Sequence, residues 1–191
     1  MLNFNAIKEI EFYYPIYNKI KAVRRPNKKP IPDLERVLDA IEGDTVKIKP
    51  FPKNKKGTIL FLIDRKAHFR WAFLMPNKKG PTIFNTIKGF FRALRNKYGQ
   101  YPRKFHFDGG TEVNKLLKSW LSIRGIEFST SSPYIHEQNG LIERSIRVIL
   151  DRLRATMIGA NLPLYLWCYV LPAIVELVNC SAVTNRDLTP F

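Results

Sequence analysis

The arrangement of apolar positions predicts five β-strands along the chain. Residues 45–48 alternate between polar and apolar side chains, as in a strand with one solvated face. Residues 58–63 and 69–74 are nearly continuous apolar runs typical of buried strands, and residues 105–107 and 126–128 are shorter segments of this kind. Because the first three strands follow one another closely, we expect them to form an antiparallel meander.

Helical periodicity predicts the remaining elements. The apolar face of the first long helix comprises Ile83, Ile87, Phe90, Phe91 and Leu94. That of the second comprises Leu116, Leu117, Trp120 and Leu121. A third begins near Glu137, and its apolar stripe comprises Ile142, Ile146, Ile149, Leu150, Leu153 and Met157. A last helix covers residues 163–179, and a short one is expected over residues 33–41. This order of elements is typical of an α/β fold with a mixed sheet.

The composition indicates one folded domain with an unusual charge. The chain has 191 residues, 45% of them hydrophobic, which is enough for a core. Its 32 basic and 16 acidic side chains give a net charge of +16, which favours a polyanion such as nucleic acid, although a merely basic protein has the same composition. No apolar run predicts a membrane span or a secretory signal, and Cys168 and Cys180 are expected to be reduced core residues, so we expect an intracellular protein.

Residues 1–41 are expected to form a basic N-terminal arm or linker that is separate from the domain. The tract from Lys19 to Lys29 combines like charges with prolines, which disfavour a helix. This segment is either a solvated tail or an arm that contacts phosphate groups.

Two carboxylates, Asp108 and Glu143, are the strongest candidates for chemistry. Asp108 follows the short strand at residues 105–107, and Glu143 lies on the third predicted long helix. Phosphodiester transfer needs charge neutralisation at the attacking and the leaving oxygen, which two divalent ions held by carboxylates provide. By themselves, however, an Asp-Gly-Gly turn and a glutamate on a helix surface are also common structural features.

Three further segments carry a longer and more specific pattern. They are residues 58–76, residues 131–147, which contain His136-Glu137-Gln138-Asn139-Gly140, and residues 162–167. These segments resemble the second and third strands, the loop with the catalytic helix, and the following helix of the integrase catalytic core of copia-type long-terminal-repeat retrotransposons, most closely those of fungal elements. The resemblance covers about residues 42–191.

The resemblance implies a ribonuclease-H-like fold, with a five-stranded mixed sheet flanked by helices, and a three-carboxylate site that binds two Mg²⁺ or Mn²⁺ ions. It implies DNA 3′-end processing by water, followed by strand transfer, in which the new 3′-hydroxyl attacks a target phosphodiester. The implied partners are the element ends, target DNA and further copies of the chain, and integration places the protein in the nucleus.

The resemblance also assigns the three carboxylates. Asp108 and Glu143 correspond to the second and third, with 34 residues between them. Asp44 is preferred as the first, because in this fold the first ligand lies on strand one beside the strand that ends at Asp108. Asp64 is the alternative, and we expect the hairpin of the first two strands to place it across from Asp44.

Candidate DNA contacts lie on the third helix and on the loop before it. The arginines Arg144, Arg147 and Arg154 lie on or beside the face of Glu143 and are placed to hold phosphates, unless this face is simply solvated with an Arg147–Asp151 pair. In the related integrases the loop touches DNA near the cleaved bond, and its candidates here are Tyr134, Gln138 and Asn139.

Several departures from the family leave the activity open. Glu42 stands where the family usually has histidine, two residues before the first aspartate, and residues 1–41 lack the zinc ligands of the family's upstream module. The core is expected to be truncated at its C-terminal end. The alternative to an active integrase core is therefore a catalytically inactive, nucleic-acid-binding remnant of a retrotransposon polyprotein. A ribonuclease H would need four carboxylates, and the loop before Glu143 argues against it.

Overall fold

A computed structural model of the chain describes residues 36–49, 57–107, 111–130 and 140–181. The strands are β1 (Ala40–Lys47), β2 (Thr58–Asp64), β3 (Arg70–Met75), β4 (Lys104–Phe107) and β5 (Glu127–Ser129). The helices are α1 (Gly80–Tyr98), α2 (Thr111–Ser122), α3 (Gly140–Gly159) and α4 (Trp167–Cys180), and a 3₁₀ turn at Leu164–Leu166 precedes α4. No helix in these ranges is long and apolar enough to cross a membrane.

The five strands form one mixed sheet in the order β3-β2-β1-β4-β5. The first three strands pair antiparallel, as the predicted meander requires, whereas β4 pairs parallel with β1 and with β5. The central strand β1 therefore has the antiparallel strands β2 and β3 on one side and the parallel strands β4 and β5 on the other. The predicted α/β class with a five-stranded mixed sheet is confirmed.

Two hydrophobic clusters cover the two faces of the sheet. On one face, Ile41, Leu60 and Leu62 pack with α1 and α2. On the other face, Ile59, Phe61 and Ile63 pack with α3 and α4. Because side chains alternate along a strand, each residue of β1 and β2 can be assigned to the α1–α2 face or to the α3–α4 face. This assignment decides which acidic side chains lie near one another.

Gly43 allows β1 to lie deep in the first cluster. A Cβ atom on this residue would come within 2.7 Å of Leu62 Cδ2 and 3.0 Å of Phe107 Cδ2. Both neighbours are fully buried, so neither can move aside without disturbing the core. The glycine thus accommodates close packing at the centre of the sheet, directly before Asp44.

Two expectations about local structure were wrong. The helix over residues 33–41 does not form in its described part, since residues 36–39 make a turn and β1 begins at Ala40. Strand pairing on both sides of β1 outweighs the weak strand preference of its polar centre. Cys180 is exposed near the end of α4, and only Cys168 is a core residue. The proposed domain boundary between residues 41 and 42 stays a prediction.

Candidate active site

Asp44 lies on the central strand and faces α3. It pairs with Phe61 of β2, which belongs to the α3–α4 cluster, and Val46, two residues further on, packs against the same cluster. The side chain is half-buried, and its Oδ1 accepts a hydrogen bond of 2.6 Å from the amide of Thr45. A carboxylate is thus held in the middle of the sheet on the face that α3 covers.

The strand that leads to Asp108 runs beside Asp44. Phe107, the last residue of β4, pairs with Gly43, which directly precedes Asp44. The residues that precede Asp44 and Asp108 in the sequence are therefore neighbours in a parallel pair of strands. Asp108 itself lies outside the described residues, so its side chain is not placed.

Glu143 occupies the first turn of α3, where it is exposed. The apolar stripe predicted for this helix is confirmed at most of its positions, because Ile142, Ile146, Ile149, Leu153 and Met157 are all buried. The first turn also lies near β1, because the Ile142 amide is close enough to the Glu42 carboxylate to lower its pKa, although the two groups do not have the geometry of a hydrogen bond. Glu42 and Asp44 lie on the same face of β1, so the turn that bears Glu143 lies over the stretch of β1 that bears Asp44.

Asp64 has a different position from the one predicted. It pairs with Ile41, whereas Asp44 pairs with Phe61, so the two aspartates are not opposite each other. Ile41 belongs to the α1–α2 cluster, which puts the Asp64 side chain on the face opposite to Asp44. The hairpin register differs by three residues from the expected one, and this odd difference reverses the face.

The hydrogen bonds of Asp64 give this residue a structural role. Its carboxylate is fully buried and accepts hydrogen bonds from the amides of Leu38 at 2.6 Å, Lys66 at 2.7 Å and Ala67 at 3.3 Å. The side chain thereby fixes the turn between β2 and β3 and joins it to the segment before β1. These contacts argue against a metal-binding role for Asp64.

Glu42 is a fully buried carboxylate on the same face as Asp44. Arg65 Nε lies 3.0 Å from its Oε1, an ion pair whose geometry is not that of a hydrogen bond, so neither oxygen has a hydrogen-bond partner among the described residues. Burial raises the pKa of Glu42, and the charge of Arg65 and the Ile142 amide offset only part of this effect. The i, i+2 spacing of Glu42 and Asp44 is the sequence signal for a shared face of β1.

The basic residues predicted on α3 are all exposed, in agreement with a role at a surface. Arg154 Nη1 pairs with Asp151 Oδ1 at 3.0 Å. The expected alternative was an Arg147–Asp151 pair, but Asp151 pairs with Arg154 instead. Arg144 and Arg147 have no ion pair with a described residue. The loop candidates Tyr134, Gln138 and Asn139 lie outside the described residues.

The donor set suits a hard divalent cation. Within the described residues no three metal-binding side chains form a cluster, but Asp108 is not among these residues. Asp44, which is half-buried, and Glu143, which is exposed, both provide carboxylate oxygens, and oxygen donors are the ligands that Mg²⁺ prefers. The residues present therefore fit a carboxylate site for Mg²⁺.

This sheet, with helices on both faces, has the ribonuclease-H-like architecture of integrase catalytic cores. In fold, the chain matches a simian T-cell lymphotropic virus intasome, determined in complex with the PP2A regulatory subunit B56 gamma, with a TM-score of 0.65, 18% identity and coverage of 89% of this chain and 61% of that one. It also matches the HTLV-2 integrase catalytic core domain in complex with magnesium, in a dimeric form, with a TM-score of 0.58, 19% identity and coverage of 81% and 94%.

In sequence, the chain is similar to retrovirus-related polyproteins. It is 32% identical over 113 residues to the Pol polyprotein from transposon RE1 of Arabidopsis thaliana, covering 59% of the chain and 8% of that polyprotein. It is 24% identical over 189 residues to the Pro-Pol polyprotein of feline foamy virus, covering 96% of the chain and 16% of that polyprotein. No protein-family model matches it. The chain spans only a small part of the length of these relatives.

Proposed function

We propose that this chain is an integrase catalytic core that acts on DNA phosphodiester bonds, in 3′-end processing and in strand transfer. The observation that carries the proposal is the parallel pairing of β1 with β4, in which Gly43 and Phe107 are partners and Asp44 faces α3. Asp44, Asp108 and Glu143 are the proposed catalytic carboxylates. The proposal extends to a copia-type retrotransposon origin, to a homo-oligomeric state and to action in the nucleus.

The three carboxylates are proposed to bind two Mg²⁺ or Mn²⁺ ions. Such ions activate the attacking oxygen and neutralise charge on the leaving oxygen. The protein contributes position, because Asp44 is fixed on the central strand and Glu143 on a helix that is anchored to the sheet by five buried apolar side chains. Arg144 and Arg147, exposed on the first two turns of α3, are placed to hold DNA phosphates beside the carboxylates.

The test is divalent-dependent nicking and strand transfer on a short DNA duplex. We expect wild-type protein to cleave with Mg²⁺ or Mn²⁺ and to be inactive in EDTA. Asp44→Asn and Asp108→Asn should both lose this activity while binding DNA as tightly as wild type does without metal. An Asp44→Asn variant with wild-type activity would refute the assignment of this residue.

A catalytically inactive nucleic-acid-binding remnant is the second candidate. The observation that favours it is the replacement of a residue near the site. A buried carboxylate, that of Glu42, stands where the related integrases usually have histidine. If the wild type and Asp108→Asn are equally inactive yet both bind DNA, this second function is the correct one.

A further inference from the structure

Two arginines meet where β3, α3 and α4 come together. Arg70 begins β3, and its Nε donates a 2.7 Å hydrogen bond to Ser145 Oγ on α3. The backbone of Arg70 is held in turn by Asn179 of α4, whose Oδ1 accepts from the Arg70 amide and whose Nδ2 donates to the Arg70 carbonyl, both at 2.9 Å. The guanidinium is therefore held by α3, and the backbone that bears it is held by α4.

Arg152 approaches the same corner from α3. It lies seven positions, or about two turns, after Ser145, so both side chains lie on one side of the helix. Its Nη1 donates a 3.0 Å hydrogen bond to Ser181 Oγ, just beyond the end of α4, and that hydroxyl donates to the Leu177 carbonyl. The second guanidinium is thus also held by a neutral partner.

Neither guanidinium has an acidic partner in the described part of the chain. The ion pairs there join other arginines and lysines to carboxylates. Burial and then the charge of Arg152 lower the pKa of Arg70, and no carboxylate opposes these effects. Arginine remains protonated in proteins, so two positive charges interact at this corner without an acidic partner among the described residues.

We propose that Arg70 and Arg152 form a binding site for a phosphate group. A guanidinium presents five N–H donors, and here one donor of Arg70 and one of Arg152 are used by serine hydroxyls. No other described residue accepts a hydrogen bond from the remaining donors, and the planar guanidinium is well suited to phosphate oxygens. The site is on the side of α3 that faces β3, two strands away from Glu42 in the sheet, and it is additional to the proposed carboxylate site.

The first experiment uses the full chain in EDTA and measures thermal unfolding with inorganic phosphate, with ionic strength balanced by NaCl. Arg152→Met keeps the length of the aliphatic stem but removes the charge. Arg92→Met, an exposed position on α1, is the control for loss of one positive charge. We expect phosphate to raise the Tm of wild type and of Arg92→Met and to leave that of Arg152→Met nearly unchanged.

Without phosphate, the Arg152→Met variant should be at least as stable to heat as wild type. Because Arg152 repels Arg70, we expect the phosphate-free Tm of Arg152→Met to equal or exceed that of wild type. Arg152→Lys keeps the charge but not the planar guanidinium, so it should lose part of the phosphate-induced rise in Tm. It replaces Arg152→Met in this experiment if the methionine variant does not fold. A lower phosphate-free Tm for Arg152→Met, together with an unchanged phosphate response in all variants, would show a structural pair and overturn the proposal.

A second measurement identifies the source of the phosphate group. If it is a DNA phosphodiester, Arg152→Met should weaken duplex binding more than Arg92→Met does and reduce the slope of log affinity against log salt by about 0.9. Equal duplex binding by the two variants, with the phosphate-induced Tm shift still lost in Arg152→Met, would assign the site to a free phosphate compound. Both measurements are made without metal, so an inactive integrase core gives the same result.

Discussion

At the scale of single residues, the register of the β1–β2 hairpin puts Asp44 and Asp64 on opposite faces of the sheet. Asp64 is enclosed on the α1–α2 face and accepts three backbone hydrogen bonds. Asp44 is half-buried on the α3–α4 face, beside the strand that leads to Asp108. The two residues should therefore respond differently to the same substitution.

We expect Asp64→Asn to lower the free energy of unfolding by about 1–3 kcal/mol, because an amide NH₂ would face a buried backbone N–H. Asp44→Asn should change this free energy much less and should abolish metal-dependent nicking. Urea unfolding and the nicking assay, made on both variants, check the pair. A stable Asp64→Asn that has lost nicking would reverse the two assignments.

Glu42 provides a prediction about pH. Its pKa in the folded protein is raised above the ordinary value of 4.5, mainly by burial, so the folded state binds this proton more tightly than the unfolded state does. The resulting stabilisation is fully present below the ordinary value and is lost as the pH rises through the raised pKa. Wild type should therefore lose stability relative to Glu42→Gln as the pH is increased from acid to neutral.

The measurement is urea unfolding of both proteins across this pH range in EDTA, which removes any bound metal. Glu176→Gln, an exposed position on α4, controls for the loss of one negative charge. A constant difference in stability between wild type and Glu42→Gln at every pH would contradict the predicted direction.

At the scale of elements, the sequence predicted the helices better than the central strand. Helices α1 and α3 carry long apolar stripes, and their periodicity is a local signal. Strand β1 instead has Glu42, Gly43 and Asp44 at its centre, and it is held by pairing with β2 and β4, which are distant in sequence. Its extent is thus set by tertiary contacts, which a local pattern does not contain.

The same argument explains why Asp44 and Asp64 could not be separated from the sequence. The face of a residue depends on the register of the β1–β2 hairpin, and an odd shift moves a side chain from one face to the other. Apolar runs such as residues 58–63 are buried on both faces and so do not indicate a register. The sequence suggests candidate carboxylates, whereas the faces on which Asp44 and Asp64 lie are seen only in the sheet.

Asn179 makes a testable link between two elements. On α4 it acts as a pairing partner for the edge strand β3, since it bonds both the amide and the carbonyl of Arg70. Asn179→Ala leaves both backbone groups without this partner, and we expect a loss of about 1–3 kcal/mol in the free energy of unfolding. Hydrogen exchange at the Arg70 amide should also accelerate. Cys180→Ala, at the exposed neighbouring position, should change neither quantity.

At the scale of the whole molecule, the dominant property is the excess of positive charge. The 32 basic and 16 acidic side chains cannot all be paired, and four ion pairs join residues within the described ranges. Such an excess attracts polyanions and also causes repulsion within the folded chain. The corner of Arg70 and Arg152 is a local case of the same imbalance.

Added NaCl should therefore have opposite effects on stability and on DNA binding. Salt screens repulsion between exposed charges, with a Debye length of about 10 Å at 0.1 M, so we expect the Tm of the free protein to rise with NaCl. Salt also reduces the gain from counterion release, so affinity for a duplex should fall with a log–log slope of about −0.9 for each phosphate contact. Thermal unfolding and fluorescence anisotropy in the same phosphate-free buffers measure the two effects. A duplex affinity that does not change with NaCl would exclude phosphate contacts as the basis of DNA binding, because their contribution to affinity must weaken as salt increases.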